Sequence, residues 1–178
     1  MKMLSKNLKL KGIYLIKNQK FKDKRGFFFE SFNKKKFQKL FLKKINVCQI
    51  NHSVSKKYVI RGLHYQVGKF QQEKIVKVIR GKIFDVAVDL RKNSKTYGKF
   101  QSVILSDKNN YQLYIPRNFA HGFQVLSEEA EVSYITGNFY NPSSERTILW
   151  SDPLINIKWP YPRKAIISKK DLLGKNLA

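Results

Sequence analysis

A guanidinium, a glycine and an imidazole fall within four positions of Val59-Ile60-Arg61-Gly62-Leu63-His64-Tyr65-Gln66, a β-branched run that reads as a strand. An imidazole titrates near neutrality, so a histidine held in a pocket can take a proton and return it within one turnover. Strict alternation along a strand puts Arg61, Leu63 and Tyr65 on one side and Ile60, Gly62, His64 and Gln66 on the other. A lone strand histidine is more often a satisfied structural residue than a base. His64 therefore needs support from elsewhere in the chain.

The elements that must position it belong to one domain, residues 1–178, a length that suits a single compact core. Hydrophobic residues make up 42% and aromatics 13%, which excludes a disordered chain despite 36 Lys and Arg against 12 Asp and Glu, a formal charge of +24. Such an excess suits a nucleic acid, a membrane surface or a phosphorylated substrate, and equally a set of solvated lysines on exposed faces. Cys48 is the only cysteine, so no internal disulfide forms and a reducing cytoplasm is the expected location. Lysines interrupt the stretch from Met1 to Leu10, leaving neither a signal-peptide h-region nor a membrane span.

Ile13 to Ile16 open a sheet, Asp23-Lys24-Arg25-Gly26 forms a turn, and Phe27 to Phe32 reads as an extended, buried run in which Glu30 needs a partner. Asn33 caps a helix running to about Lys44, with Phe37, Leu40 and Phe41 at helical spacing. From Val47 onward short strands follow one another. Those on either side of Arg80-Gly81 read as a hairpin, and further strands cover Phe100 to Leu105, Gln112 to Ile115, Gly122 to Leu126 and Ala130 to Thr136. This spacing indicates an all-β sandwich or barrel, with the proline-bearing tail from Pro153 wrapping it as extended chain and a last helical turn.

Arg25-Gly26-Phe27-Phe28-Phe29-Glu30, Gln49-Ile50-Asn51-His52-Ser53, Arg61-Gly62-Leu63-His64-Tyr65-Gln66, Lys74 to Gly81, Asp85 to Arg91, Ile115-Pro116, Ala120-His121-Gly122-Phe123 and Ser168-Lys169-Lys170-Asp171 occur in this order along nearly the whole chain. Together they resemble the dTDP-4-dehydrorhamnose 3,5-epimerase family. The resemblance implies a cupin-type jelly-roll barrel, a homodimer, no cofactor and a dTDP-4-dehydro-6-deoxy-sugar substrate. It makes His64 the base, Asp171 its carboxylate partner, Lys74 the cation beside the C4 oxygen and Tyr134 the acid on the other face. Arg25, Arg61 and His121 would hold the sugar nucleotide, Glu30, Gln49, Asn51, Glu145 and Lys170 would bind with them, and Tyr140 would stack on thymine. That chemistry is sound on its own terms: a C4 ketone acidifies the protons at C3 and C5, so inversion needs a base, enolate stabilisation and an acid on the far side.

After Tyr134 the chain reads Ile135-Thr136-Gly137-Asn138-Phe139-Tyr140, where the family has a lysine and later an Asp-Tyr pair. This departure keeps a C3-only epimerase in view. Two other classes stand as alternatives. One is a metal-dependent cupin using His64, Glu73 and His121, against which Gln66 sits where a second histidine ligand belongs. The other is a nucleic-acid binder built on the interleaved aromatics and lysines of Phe21 to Lys44, which leaves the histidines, Tyr134 and Asp171 without a role.

Overall fold

The computed structural model describes residues 3–41 and 45–177. Strands β1 (Met3–Asn7) and β2 (Tyr14–Asn18) lead into a small hairpin, β3 (Phe21–Asp23) and β4 (Gly26–Phe28), and helix α1 (Lys34–Phe41) follows. Then come β5 (Gln49–Lys56), β6 (Val59–Gln66), β7 (Lys74–Arg80), β8 (Lys82–Asp89), β9 (Phe100–Ser106), β10 (Tyr111–Ile115), β11 (Phe119–Val125) and β12 (Glu129–Thr136). The tail holds β13 (Glu145–Thr147), β14 (Ile166–Ile167) and the single-turn helix α2 (Lys169–Leu172).

Two antiparallel sheets face each other. One runs β1-β2-β10-β7-β12-β5, the other β13-β6-β11-β8-β9, with β14 added in parallel to β6. Val76, Val78, Leu113 and Val132 of the first sheet pack between them against Ile83, Ala87, Phe123 and Val125 of the second. The chain forms an all-β, cupin-type jelly roll.

Arg80-Gly81 is not a hairpin turn. β7 pairs with β10 and β12, whereas β8 pairs with β9 and β11, so at Gly81 the chain crosses from one sheet to the other. Gly81 has φ 88°, and a Cβ there would lie 2.2 Å from the Glu129 carbonyl oxygen. A side chain cannot make this corner.

The outer faces are covered unequally. Ile148, Ile155 and Trp159 of the tail pack on Ile60, Leu63, Val86 and Val88, and the Trp159 indole donates to the Trp150 carbonyl at 2.8 Å. Burial of both faces explains why β8 carries apolar residues at both parities. Phe37 of α1 packs with Ile16, Ile75 and Tyr114 on the outer face of the first sheet, and the Asn33 side chain caps the helix by accepting from the Lys36 N–H at 3.1 Å. The expected continuation to Lys44 enters residues outside those described. The run from Phe27 to Phe32 is not a buried strand: only Gly26–Phe28 is extended, Phe27 and Phe28 are exposed, and Glu30 bonds Asn33 and Lys36 beside the helix.

Candidate active site

The register of β6 against β11 pairs His64 with His121 and Arg61 with Phe123, so Gly62 and Leu63 together stand opposite Gly122. One extra residue in a strand inverts the alternation beyond it. Arg61 and His64 therefore emerge on the same, inward face, against the expectation from strict period two. A Cβ on Gly62, at φ 108°, would lie 2.5 Å from the His121 carbonyl oxygen and 2.7 Å from the Gly122 Cα. The bulge needs its glycine.

The tail supplies the group behind the imidazole. Parallel pairing of Ile166 and Ile167 with Val59 and Ile60 lays the chain along β6, and Ser168 then caps α2, its hydroxyl accepting the Asp171 N–H at 3.1 Å. Asp171 is 3% exposed. Its Oδ1 is 2.6 Å from His64 Nε2 and its Oδ2 accepts the Gly62 N–H at 3.1 Å. Burial pushes the Asp171 carboxyl up, but the bonds from His64 and Gly62 outweigh it and hold the group below the usual carboxylate range. An anionic acceptor at Nε2 keeps the proton there and leaves Nδ1 as the basic nitrogen.

The facing sheet brings Lys74, Tyr134, Asn51 and Gln49 to the same cavity. Asn51 lies directly opposite Tyr134, which lies opposite Val76, while Gln49, Thr136 and Lys74 form the neighbouring row. Lys74 Nζ is 3.5 Å from the His64 carbonyl oxygen and 6.0 Å from the centre of the Tyr134 ring. Burial lowers the Lys74 ammonium to about 8, opposed by the charges of Asp85 and Glu145. Burial also raises the Tyr134 phenol, with Arg61 and a hydrogen bond from Asn51 pulling the other way.

The resulting cavity, about 260 Å³, is lined by His64, Lys74, Tyr134, Gln49, Asn51, Tyr140 and Glu145, all expected, and by Tyr65, Gln66 and Gln72, which were not. Gln66 holds the loop that carries Tyr140, donating to the Phe70 and Phe139 carbonyls and accepting the Asn141 N–H at 2.7 Å. The Tyr140 hydroxyl donates to Glu145 at 2.9 Å, and Glu145 also pairs with Lys170.

Other expected residues lie elsewhere. Arg61 bonds Ser55 at 2.8 Å beside the cavity. His121 is buried with Nε2 2.9 Å from Asp85, a buried carboxylate of β8 to which the sequence reading gave no role. Arg25 pairs with Asp23 on the exposed hairpin, and Glu30 with Lys36; neither lines the cavity. The metal-site alternative is not assembled. Glu73 pairs with Arg117 at 2.6 Å, His64 and His121 each hold their own aspartate, and among the described residues no three His, Cys, Asp or Glu side chains converge.

An imidazole whose second nitrogen is held by a carboxylate faces a phenol on the opposite sheet, and a desolvated ammonium stands beside both. Groups so disposed have the chemistry to take a proton from a carbon on one side and return one from the other, as an acid–base isomerase requires. The comparisons agree. The chain belongs to the dTDP-4-dehydrorhamnose 3,5-epimerase family, whose model matches residues 7–178. It is 50% identical over 163 residues to a dTDP-4-dehydrorhamnose 3,5-epimerase of Shigella flexneri, covering 92% of this chain and 90% of that one. The enzyme of that name from Elizabethkingia anophelis superposes with a TM-score of 0.94 at 44% identity, over 98% of this chain and 96% of that chain. A dTDP-6-deoxy-D-glucose-3,5-epimerase of Legionella pneumophila, solved with dTDP-4-keto-L-rhamnose, superposes with a TM-score of 0.95 at 41% identity, over 98% and 93%.

Proposed function

We infer that the cavity converts dTDP-4-dehydro-6-deoxy-D-glucose to dTDP-4-dehydro-L-rhamnose by inverting C3 and C5, in dTDP-L-rhamnose biosynthesis. The observation that carries this reading is the placement of His64 and Tyr134 on facing sheets across one cavity. His64 Nδ1 takes the proton from the carbon next to the ketone, and the electron pair moves onto the C4 oxygen. The Lys74 ammonium stabilises that enolate, with Asp171 balancing the imidazolium. Tyr134 delivers a proton from the other side, and solvent restores both groups. Arg61, Gln49, Asn51, Glu145 and Lys170 bind the sugar nucleotide, with His121 supporting from behind, and Tyr140 stacks on the thymine.

A homodimer completes this reading. Ile50 is 65% exposed on the outer face of the first sheet, near exposed Val54 and Ile79, and Phe28 on the hairpin is 68% exposed. Apolar surface of this kind favours a second copy over water. It would also give Arg25 and Glu30 a cavity to serve, that of the neighbouring subunit. No described helix is long and apolar enough to cross a membrane, and the single cysteine supports a reducing cytoplasm.

The test is incubation with dTDP-4-dehydro-6-deoxy-D-glucose in deuterated water, followed by NMR. Deuterium at C3 and C5 of an L-configured product is expected. Incorporation at C3 alone would reduce the activity to single inversion, and incorporation at neither carbon would sink the reading.

A further inference from the structure

Gln49 and Asn51 form a chain of hydrogen bonds that starts at the Tyr140 backbone, ends at the residue facing Tyr134, and has its polarity set from one end. The Tyr140 backbone N–H donates to Gln49 Oε1 at 3.1 Å. A backbone N–H can only donate, so Gln49 must turn its oxygen there, and its Nε2 then donates to Asn51 Oδ1 at 2.6 Å. With its oxygen occupied, Asn51 has only its NH2 group to offer Tyr134, which lies directly across the strand pair and lines the same cavity. Flipping either amide would set donor against donor.

From this we propose that Asn51 is a positioning residue for the acid, holding the Tyr134 phenol by its oxygen so that the phenolic proton points to the substrate, and that Gln49 enforces this polarity. The proposal rests on the acid role given to Tyr134 above and gives Gln49 and Asn51 a part beyond contacting the sugar nucleotide. It follows from donor counting. A phenol has one proton, and an acceptor at Asn51 would capture it; a donor there leaves the proton free and stabilises the phenolate formed when it departs. The relay starts at the backbone of Tyr140, so the loop fixed by Gln66 also sets the direction of proton delivery.

Two near-isosteric substitutions in the full chain test it. In Asn51→Asp, one carboxylate oxygen still accepts from Gln49 while the other accepts the phenolic proton. In Gln49→Glu, one oxygen still accepts the Tyr140 N–H while the other takes the Asn51 NH2, turning the Asn51 oxygen toward Tyr134. Both variants, checked for folding by circular dichroism, are given dTDP-4-dehydro-6-deoxy-D-glucose in deuterated water. Expected in both is exchange without inversion, because His64 returns deuterium to the side it came from. Whatever KM does, inversion should slow about 10²-fold or more relative to exchange, the usual weight of a positioned acid. An unchanged ratio of inversion to exchange, with any loss appearing in KM, would overturn the proposal and leave both residues as substrate contacts. Wild-type protein that exchanges neither carbon would instead remove the functional reading on which the proposal stands.

Discussion

His64 Nε2 and Asp171 Oδ1 stand 2.6 Å apart although 107 positions separate them in the chain. The barrel brings one and the tail brings the other. Replacing His64 by Ala should abolish deuterium exchange at both C3 and C5, and retained exchange would end its role as base. Asp171→Asn should keep the Gly62 contact but can donate to the ring, favouring the tautomer with the proton on Nδ1. A fall in kcat of about 10²-fold or more is expected, measured by coupled assay.

Tyr134→Phe should separate the two half-reactions. The phenyl ring keeps the packing and loses the proton, so exchange at carbon should outlast inversion. Equal loss of both would assign Tyr134 to binding.

Lys74 gives the site its alkaline limb. The ammonium is charged below about 8, so activity should fall as pH rises through that value. Lys74→Arg, charged throughout the accessible range, should lose this limb whatever its absolute rate. The sign for stability is opposite to that for catalysis. Between about 8 and the free-lysine value of 10.5 the unfolded chain binds more protons than the folded one, so Lys74 makes stability rise with pH there. Lys74→Met should therefore raise the melting temperature at neutral pH while removing activity; a lower melting temperature would count against a desolvated ammonium.

Gly62→Ala tests the bulge. Its Cβ would meet backbone at 2.5 Å and 2.7 Å in a left-handed conformation, so a loss of about 2 kcal/mol or more is expected. Urea unfolding would measure it. A variant as stable as wild type would mean that the two strands approach less closely than described.

The proposed homodimer predicts complementation. Sedimentation should give twice the monomer mass, and mixing Arg25→Ala with His64→Ala chains should restore part of the activity that each lacks alone. Recovery of none would leave Arg25 outside the site.

The residues proposed for the chemistry were legible because several sit in motifs: His64 beside Arg61-Gly62, Lys74 in its alternating strand, Asp171 after Ser168. Their relative placement was not. Alternation assumes an unbroken ladder, and the bulge at Gly62 and Leu63 breaks it, so Arg61 and His64 share a face that period two denies them. Alternation is also silent about which sheet a strand joins, which is why Arg80-Gly81 reads as a hairpin when it is a crossing. Phe27 and Phe28 carry the composition of a core while lying exposed on the hairpin, because composition alone does not say whether an apolar run is placed inside or outside. Asp85 lies in one of the motifs yet received no role, since an acid in a largely apolar strand shows its task only when its buried partner, His121, is seen.

The tail does two jobs with one run of residues. It roofs the second sheet through Ile148, Ile155 and Trp159, and it carries Asp171 to the imidazole. Surface tails ordinarily drift freely in sequence, but this one is tethered at both ends of its purpose. A change that loosens Trp159 would shift the registration of the strand behind His64, so that wear in the roof is felt first as slower turnover and only later as unfolding.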